Sequence, residues 1–75
     1  MNLQKIISEN LKGFRIKRKL TQEAIAGKIG MASNHYAQVE RGEEGLTLDR
    51  WEKIAKILKI EPYRLLIPRS YTEES

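Results

Sequence analysis

The apolar residues of this chain recur at helical spacing in short runs, and residues that start or stop helices separate the runs. Ile7, Leu11 and Phe14 stand at positions i, i+4 and i+7, which predicts an amphipathic first helix from about residue 3 to 18. No stretch alternates with the two-residue period of a strand. The sequence therefore predicts an all-α chain.

Capping residues and glycines mark the ends of the next three predicted helices. Threonine oxygens suit N-caps, and glycine suits the positive φ with which many helices end. These signals predict a second helix over about 22–29, a third over about 33–40, and a fourth that begins after residue 47 and carries a regular apolar stripe. The capping and stopping residues are Thr21, Gly30, Gly42 and Thr47.

A proline on each side bounds a short fifth helix. Pro62 suits the first position of that helix, because its missing N–H would have no partner there, and Pro68 ends it. Residues 69–75 lack a periodic apolar pattern. We expect a single domain over 1–68 and a flexible tail over 69–75, although Tyr71 could pack back on the domain.

Length and residue usage exclude several classes of protein. A chain of 75 residues has room for one core, and without cysteine and with a single histidine, His35, we expect no disulfide, metal site or cofactor. The N-terminus holds no extended apolar stretch, so we expect no signal peptide, no membrane span and a bacterial-type cytoplasm. An enzyme is the least expected class, because there is no glycine-rich phosphate loop and no nucleophile with its base.

Positive charge is concentrated near the N-terminus. The formal net charge is +4, and residues 1–30 carry seven Lys and Arg against two acids. The densest run, from Lys12 to Lys19, could be a stripe that faces phosphates or simply a solvated helix end.

The stretch from Gln22 to Val39 carries the most specific pattern. Small Ala26 stands four residues before Gly30, and apolar residues fill the inward positions on both sides of the glycine. Two helices that cross steeply through a short turn bring their backbones close together. Such a crossing favours a small side chain on the first helix and a permissive residue in the turn.

This pattern resembles the helix-turn-helix of the lambda-repressor-like family, also called Cro/cI or XRE, of DNA-binding transcriptional regulators. The resemblance extends from about Leu11 to Leu66. It implies a five-helix domain in which residues 21–41 form the helix-turn-helix. The matching segments are Phe14-Arg15, Leu20-Thr21-Gln22-Glu23, Ile25-Ala26, Ile29-Gly30, Val39-Glu40-Arg41-Gly42 and Ile54-Ala55 to Leu58.

The resemblance also implies a recognition helix over 33–41 that lies in the major groove of double-stranded DNA. Ser33, Asn34 and Gln38 match the base-reading positions of the family, and His35 stands beside them. Asparagine and glutamine can form two hydrogen bonds to the N6/N7 edge of adenine, each good pair adding roughly 1–3 kcal/mol of discrimination.

Other positions are expected at the sugar-phosphate backbone. Gln22 and Arg41 match backbone-contacting positions of the family, and Thr21, Lys19 and Arg18, which stand within four residues before Gln22, are expected to contact the backbone as well. Acidic Glu43 and Glu44 stand in the next loop, where this family commonly has basic residues, so we expect moderate affinity from one domain.

Arg15 and Glu40 match a different kind of position. In this family the pair forms a partly buried ion pair between the first and third helices, so the resemblance implies that both are structural.

The C-terminal part of the chain holds more apolar residues than a small core needs, which predicts a homodimer interface. A dimer would bind two half-sites about one helical turn, roughly 34 Å, apart. The alternative is a protein-interaction module of the same fold, of the antitoxin or repressor-antagonist type. We expect no small-molecule ligand. The candidate interface residues are Ile57, Ile60, Tyr63, Leu66 and Ile67.

Overall fold

The computed structural model describes residues 2–73, which contain four α-helices followed by two short 3-10 helices and no strand. The α-helices are α1 (Leu3–Lys17), α2 (Gln22–Lys28), α3 (Ser33–Glu40) and α4 (Leu48–Leu58), and the 3-10 helices are Pro62–Leu66 and Ser70–Glu73. The all-helical prediction is confirmed for these residues.

The predicted fifth α-helix is a 3-10 helix instead. Within Pro62–Leu66 the Arg64 N–H donates to the Glu61 carbonyl three residues earlier. Ile67 is already extended, as expected for a residue that precedes a proline. Few residues lie between Pro62 and Pro68, and short helical segments of this kind commonly adopt 3-10 rather than α-helical hydrogen bonding.

Side-chain caps begin two of the helices where the sequence predicts them. The Thr21 hydroxyl accepts a hydrogen bond from the N–H of Ala24 at 3.0 Å, and the Thr47 hydroxyl accepts one from the N–H of Arg50 at 3.2 Å. Ala32 precedes α3 and, having no side-chain oxygen, makes no such bond.

All four α-helices end in the same backbone motif. One residue adopts a positive φ, and the N–H of the next residue donates to a carbonyl five positions earlier at 2.8–3.1 Å, which is the Schellman arrangement. Glycine fills the positive-φ position after α2 and α3, as predicted. Lysine fills it after α1 and α4, which the sequence does not signal. The four residues are Lys19, Gly30, Gly42 and Lys59.

One hydrophobic core joins all of these elements. It includes most of the apolar positions that the sequence predicts to face inward on α1 to α4, together with Leu65 from the 3-10 helix. Burial of one large apolar side chain stabilises the folded state by about 1.5–3 kcal/mol relative to leaving that side chain exposed. The core residues are Leu11, Phe14, Ile25, Ala26, Ile29, Met31, Tyr36, Val39, Ile54, Leu58 and Leu65.

An ion pair between Arg15 and Glu40 ties α1 to α3. The Arg15 Nε and Nη2 atoms donate to the two carboxylate oxygens of Glu40 at 2.6 and 3.2 Å, and Nη1 donates to the Leu20 carbonyl at 2.9 Å. The side chains are 14% and 3% exposed. The hydrogen bonds to Glu40 raise the pKa of Arg15 above its usual range. Burial raises the pKa of the neighbouring Tyr36 phenol, and the charge of Glu40 raises it further.

The described part of the tail, residues 69–73, differs from the flexible segment expected there. Ser70 is buried, and the Tyr71 ring packs on α1 beside Gly13. The Tyr71 carbonyl accepts a hydrogen bond from Lys17 Nζ at 2.8 Å. Tyr71 is the one aromatic residue of this segment, and one such side chain makes no apolar period that would reveal the contact. Residues 74 and 75 lie outside the described residues.

Gly13 is expected to be better for stability than alanine, although alanine favours a helix by about 1 kcal/mol. A Cβ added at Gly13 would lie 2.6 Å from Cδ2 of Tyr71, so the ring would have to leave its site. Gly13→Ala should therefore lower the Tm measured by circular dichroism. Gly27→Ala is the matched control, because its Cβ would meet nothing within 4 Å, and it should raise the Tm.

The same substitution in a Tyr71→Ala background isolates the cause. There Gly13→Ala should raise the Tm, since the clash is gone and only helix propensity remains. A rise in Tm for Gly13→Ala in the otherwise unchanged chain would contradict the packing of Tyr71 on Gly13.

Arg15→Ala is expected to destabilise the fold strongly, by about 3 kcal/mol, because it leaves the Glu40 carboxylate buried without its cation. A domain of this size should lose more than about 10 °C in Tm. Arg41→Ala is the control, because it removes an ion pair whose side chains are both 55% exposed, and the Tm should change little. An Arg15→Ala variant with an unchanged melting curve would show that the buried pair contributes no net stability.

Candidate nucleic-acid interface

One face of α3 is polar and open to solvent. Ser33 and Asn34 are exposed, and His35 and Gln38 are half-buried. The four residues are called the α3 polar face below. Asn34 and Gln38 are one turn apart and therefore lie next to each other on the helix surface.

The opposite face of α3 fixes the orientation of the polar one. Tyr36 is 0% exposed and Val39 is 2% exposed, so both are packed in the core. The first turn of α2 also touches α3, because Gln22 Nε2 donates to Glu40 Oε1 at 3.2 Å. The last residue of α3 is thus held by side chains from both α1 and α2.

The structure gives two of the predicted backbone-contacting residues internal partners. Gln22 is half-buried and bonded to Glu40. Arg18 Nε donates to the Leu58 carbonyl at the end of α4 at 2.7 Å, and its guanidinium lies 5.7 Å from the centre of the Phe14 ring. Both side chains therefore take part in joining helices.

The other predicted backbone-contacting residues are exposed. Lys19 and Thr21 both lie in the turn between α1 and α2. The Thr21 hydroxyl accepts the hydrogen bond from Ala24 that caps α2. Arg41 follows α3 directly and forms an ion pair with Glu43, with Nε–Oε2 and Nη2–Oε1 distances of 3.0 and 3.2 Å. These hydrogen bonds hold the pKa of the Glu43 carboxyl below its usual range and raise the pKa of Arg41.

A groove between α1 and the loop after α3 brings two further cations close to Arg41. Its volume is about 650 Å³, and Lys5 and Lys12 line it together with Arg41, Glu9 and Glu43. Lys5 and Lys12 are seven residues apart, which places them on one helix face. That spacing is visible in the sequence, but the loop that faces them is not.

The predicted dimer residues are only partly brought together. Tyr63, Leu66 and Ile67 are exposed by 59%, 38% and 40%, whereas Ile57 and Ile60 are half-buried against the core. Leu48 belongs by its spacing to the predicted apolar stripe of the fourth helix, but it is the first residue of α4 and is 75% exposed.

Leu48 helps to line a mainly apolar groove of about 560 Å³ between α4 and the Pro62–Leu66 helix. Trp51 forms part of its wall and donates a hydrogen bond from Nε1 to the Pro62 carbonyl at 2.9 Å. This feature is called the α4 groove below. Its apolar lining residues are Leu48, Trp51, Ala55, Ile60, Pro62, Tyr63 and Leu66.

The side chains and helices of residues 2–73 form neither a cluster of metal-binding groups nor a helix that could span a membrane. Within this range no three side chains of the metal-binding types come together in a site that could hold an ion. None of the helices described there is long and apolar enough to span a bilayer.

Comparison with known proteins agrees with this geometry. A family model described as helix-turn-helix matches residues 11–65. A hypothetical transcription factor of Neisseria meningitidis is 30% identical over 67 residues, which are 89% of this chain and 63% of the relative. The transcriptional repressor RstR of the cryptic phage CTXphi, from Vibrio cholerae, is 33% identical over 67 residues, covering 89% of this chain and 60% of the repressor. The chain therefore spans less than two thirds of either relative.

Two crystal structures have the same fold. That of a hypothetical transcription factor from Neisseria superposes with a TM-score of 0.85 at 28% identity, covering 95% of this chain and 80% of the other. That of the restriction-modification controller protein C.AhdI from Aeromonas hydrophila superposes with a TM-score of 0.77 at 31% identity, covering 83% and 94%.

The matched range contains the whole α2–turn–α3 unit and the core that holds it. This chain belongs to the helix-turn-helix family of the Cro/cI, or XRE, type, whose members are DNA-binding transcriptional regulators.

Proposed function

We propose that this protein is a sequence-specific regulator of transcription that binds double-stranded DNA with α3 in the major groove. The observation that carries the proposal is the division of α3 into a buried face and the α3 polar face. A helix held by its apolar side can enter a groove without unfolding. Burial of Asn34 and Gln38 in the core would have excluded this role.

Base reading is assigned to the α3 polar face. Asn34 and Gln38 have the donor and acceptor pair that matches adenine, and the Ser33 hydroxyl can bond to several bases. Ser33 is free for this role because Ala32, not Ser33, is the capping position of α3. His35, half-buried beside them, completes the set.

Phosphate contacts are assigned to the exposed residues that flank the helix-turn-helix. Lys19 and Thr21 precede α2, and Arg41 follows α3. We assign Arg18 and Gln22 an indirect role, because their side chains already bond to Leu58 and Glu40. Phosphate contacts set the register of the protein on the duplex but carry no direct sequence information.

Dimerisation is assigned to the α4 groove, with a second copy of this chain as the occupant. A single domain of this size reads few base pairs, so two domains on adjacent half-sites would give the specificity that regulation needs. The exposed apolar side chains of Leu48 and Tyr63 support this surface. We place the protein in the cytoplasm, as a regulator of the kind that the phage repressor and the restriction-modification controller protein represent.

The α4 groove also favours a second candidate function, that of an interaction module for a different protein. The two candidates differ in their dependence on salt. Binding to duplex DNA should weaken steeply as salt rises, whereas association through an apolar groove should not.

Gln38→Ala is expected to relax preference at one base position per half-site. Selection from random duplexes followed by sequencing first gives the preferred site and its symmetry. Binding of the variant to that site should weaken by about 1–3 kcal/mol, with little loss on random DNA. Gln4→Ala, at an exposed glutamine of α1, is the control and should leave both affinities unchanged. Equal weakening on every sequence would instead assign Gln38 to the DNA backbone.

Leu48→Glu is expected to prevent dimerisation, because it puts a charge in an apolar interface. Leu3→Glu is a matched control, since Leu3 and Leu48 are both first residues of α-helices and are 52% and 75% exposed. Sedimentation velocity should give monomers for Leu48→Glu and dimers for the unchanged chain and for Leu3→Glu. A Leu48→Glu protein that remains dimeric would exclude the α4 groove as the interface.

A further inference from the structure

The turn after α3 brings an acid onto the cation that we assign to the DNA backbone. Residues two positions apart on a helix do not face each other. Here Gly42 adopts a φ of +78°, and the Glu43 N–H bonds back to the Gln38 carbonyl at 2.9 Å. This reversal of the chain places the side chain of Glu43 alongside that of Arg41.

The carboxylate occupies the donors that a phosphate would use. Arg41 presents Nε and one terminal nitrogen to the two oxygens of Glu43, at 3.0 and 3.2 Å. The same two-donor edge binds two oxygens of a phosphate group. Carboxylate and phosphate therefore compete for one site, and both side chains are 55% exposed, so the exchange needs no opening of the core.

The surroundings of the pair favour a ligand that carries several negative charges, as the successive phosphates of a duplex do. Lys5 and Lys12 line the same groove as Arg41. Glu40, which also borders the groove, is bound to Arg15 and Gln22. Apart from the two acids that are bound to arginines, the groove is lined by one acid, Glu9, and by two lysines, so its balance of charge is positive.

We propose that Glu43 is an internal substitute for a DNA phosphate on Arg41, and that DNA binding exchanges the carboxylate for the phosphate. The inference rests on the proposed function. Since phosphates are common to all sequences, the exchange lowers affinity for every duplex by the same factor. Glu43 thus sets the overall affinity, and the α3 polar face sets the preference among sequences.

The exchange also has a consequence for salt dependence. Arg41 displaces counterions from the duplex, but the released Glu43 carboxylate must take up a cation. Removal of the Glu43 charge should therefore make the fall of affinity with salt steeper, by up to about one ion in the logarithmic slope.

Glu43→Gln tests the proposal, with Glu44→Gln as the matched control on the next residue of the same loop. The probes are the duplex obtained by selection and a random duplex of equal length, titrated with the full chain at several salt concentrations. Glu43→Gln should tighten both complexes by the same factor of about five, and Glu44→Gln by less than about twofold. In an Arg41→Ala background, Glu43→Gln should give no more tightening than Glu44→Gln.

Three results would overturn the proposal while leaving DNA binding in place. One is equal effects of Glu43→Gln and Glu44→Gln, which would indicate general charge repulsion. Another is tightening that persists in full without Arg41. The third is tightening on the selected duplex alone, which would indicate base reading. Failure of the unmodified protein to bind any duplex would instead refute the proposed function, and this inference with it.

Discussion

The buried carboxylate of Glu40 is the contact on which the arrangement of the first three helices depends. Glu40 is the last residue of α3, and it accepts hydrogen bonds from Arg15 of α1 and Gln22 of α2. A buried charge is costly unless its partners are in place, so helix orientations that separate them are disfavoured. The apolar core supplies the stabilising energy, and this polar cluster restricts how the helices can pack.

The two proposed surfaces are built from different parts of the fold and share no residue. The α3 polar face is the outer side of a helix whose inner side, through Tyr36 and Val39, belongs to the core. The α4 groove lies between α4 and the Pro62–Leu66 helix. A protein could therefore bind DNA and a second copy at the same time, which regulation from paired half-sites requires.

The positive charge of the chain is used inside the fold as well as on its surface. Arg15 neutralises Glu40, Arg18 bonds to the carbonyl that ends α4, and Arg64 lies 5.5 Å from the centre of the Phe14 ring. Arg41 is paired with Glu43. Four arginines are thus engaged by other groups of the protein itself.

The sequence by itself determined the starts of α2 and α4 and the ends of α2 and α3, because caps such as Thr21 and stops such as Gly30 act on backbone groups within five residues. It also determined the inward face of α3. Only the tertiary structure decided that Tyr71 packs beside Gly13, that Arg18 bonds to Leu58, and that Leu48 lines the α4 groove. Those contacts join residues far apart in the chain, and the local spacing of residues does not predict which distant segment a side chain will contact.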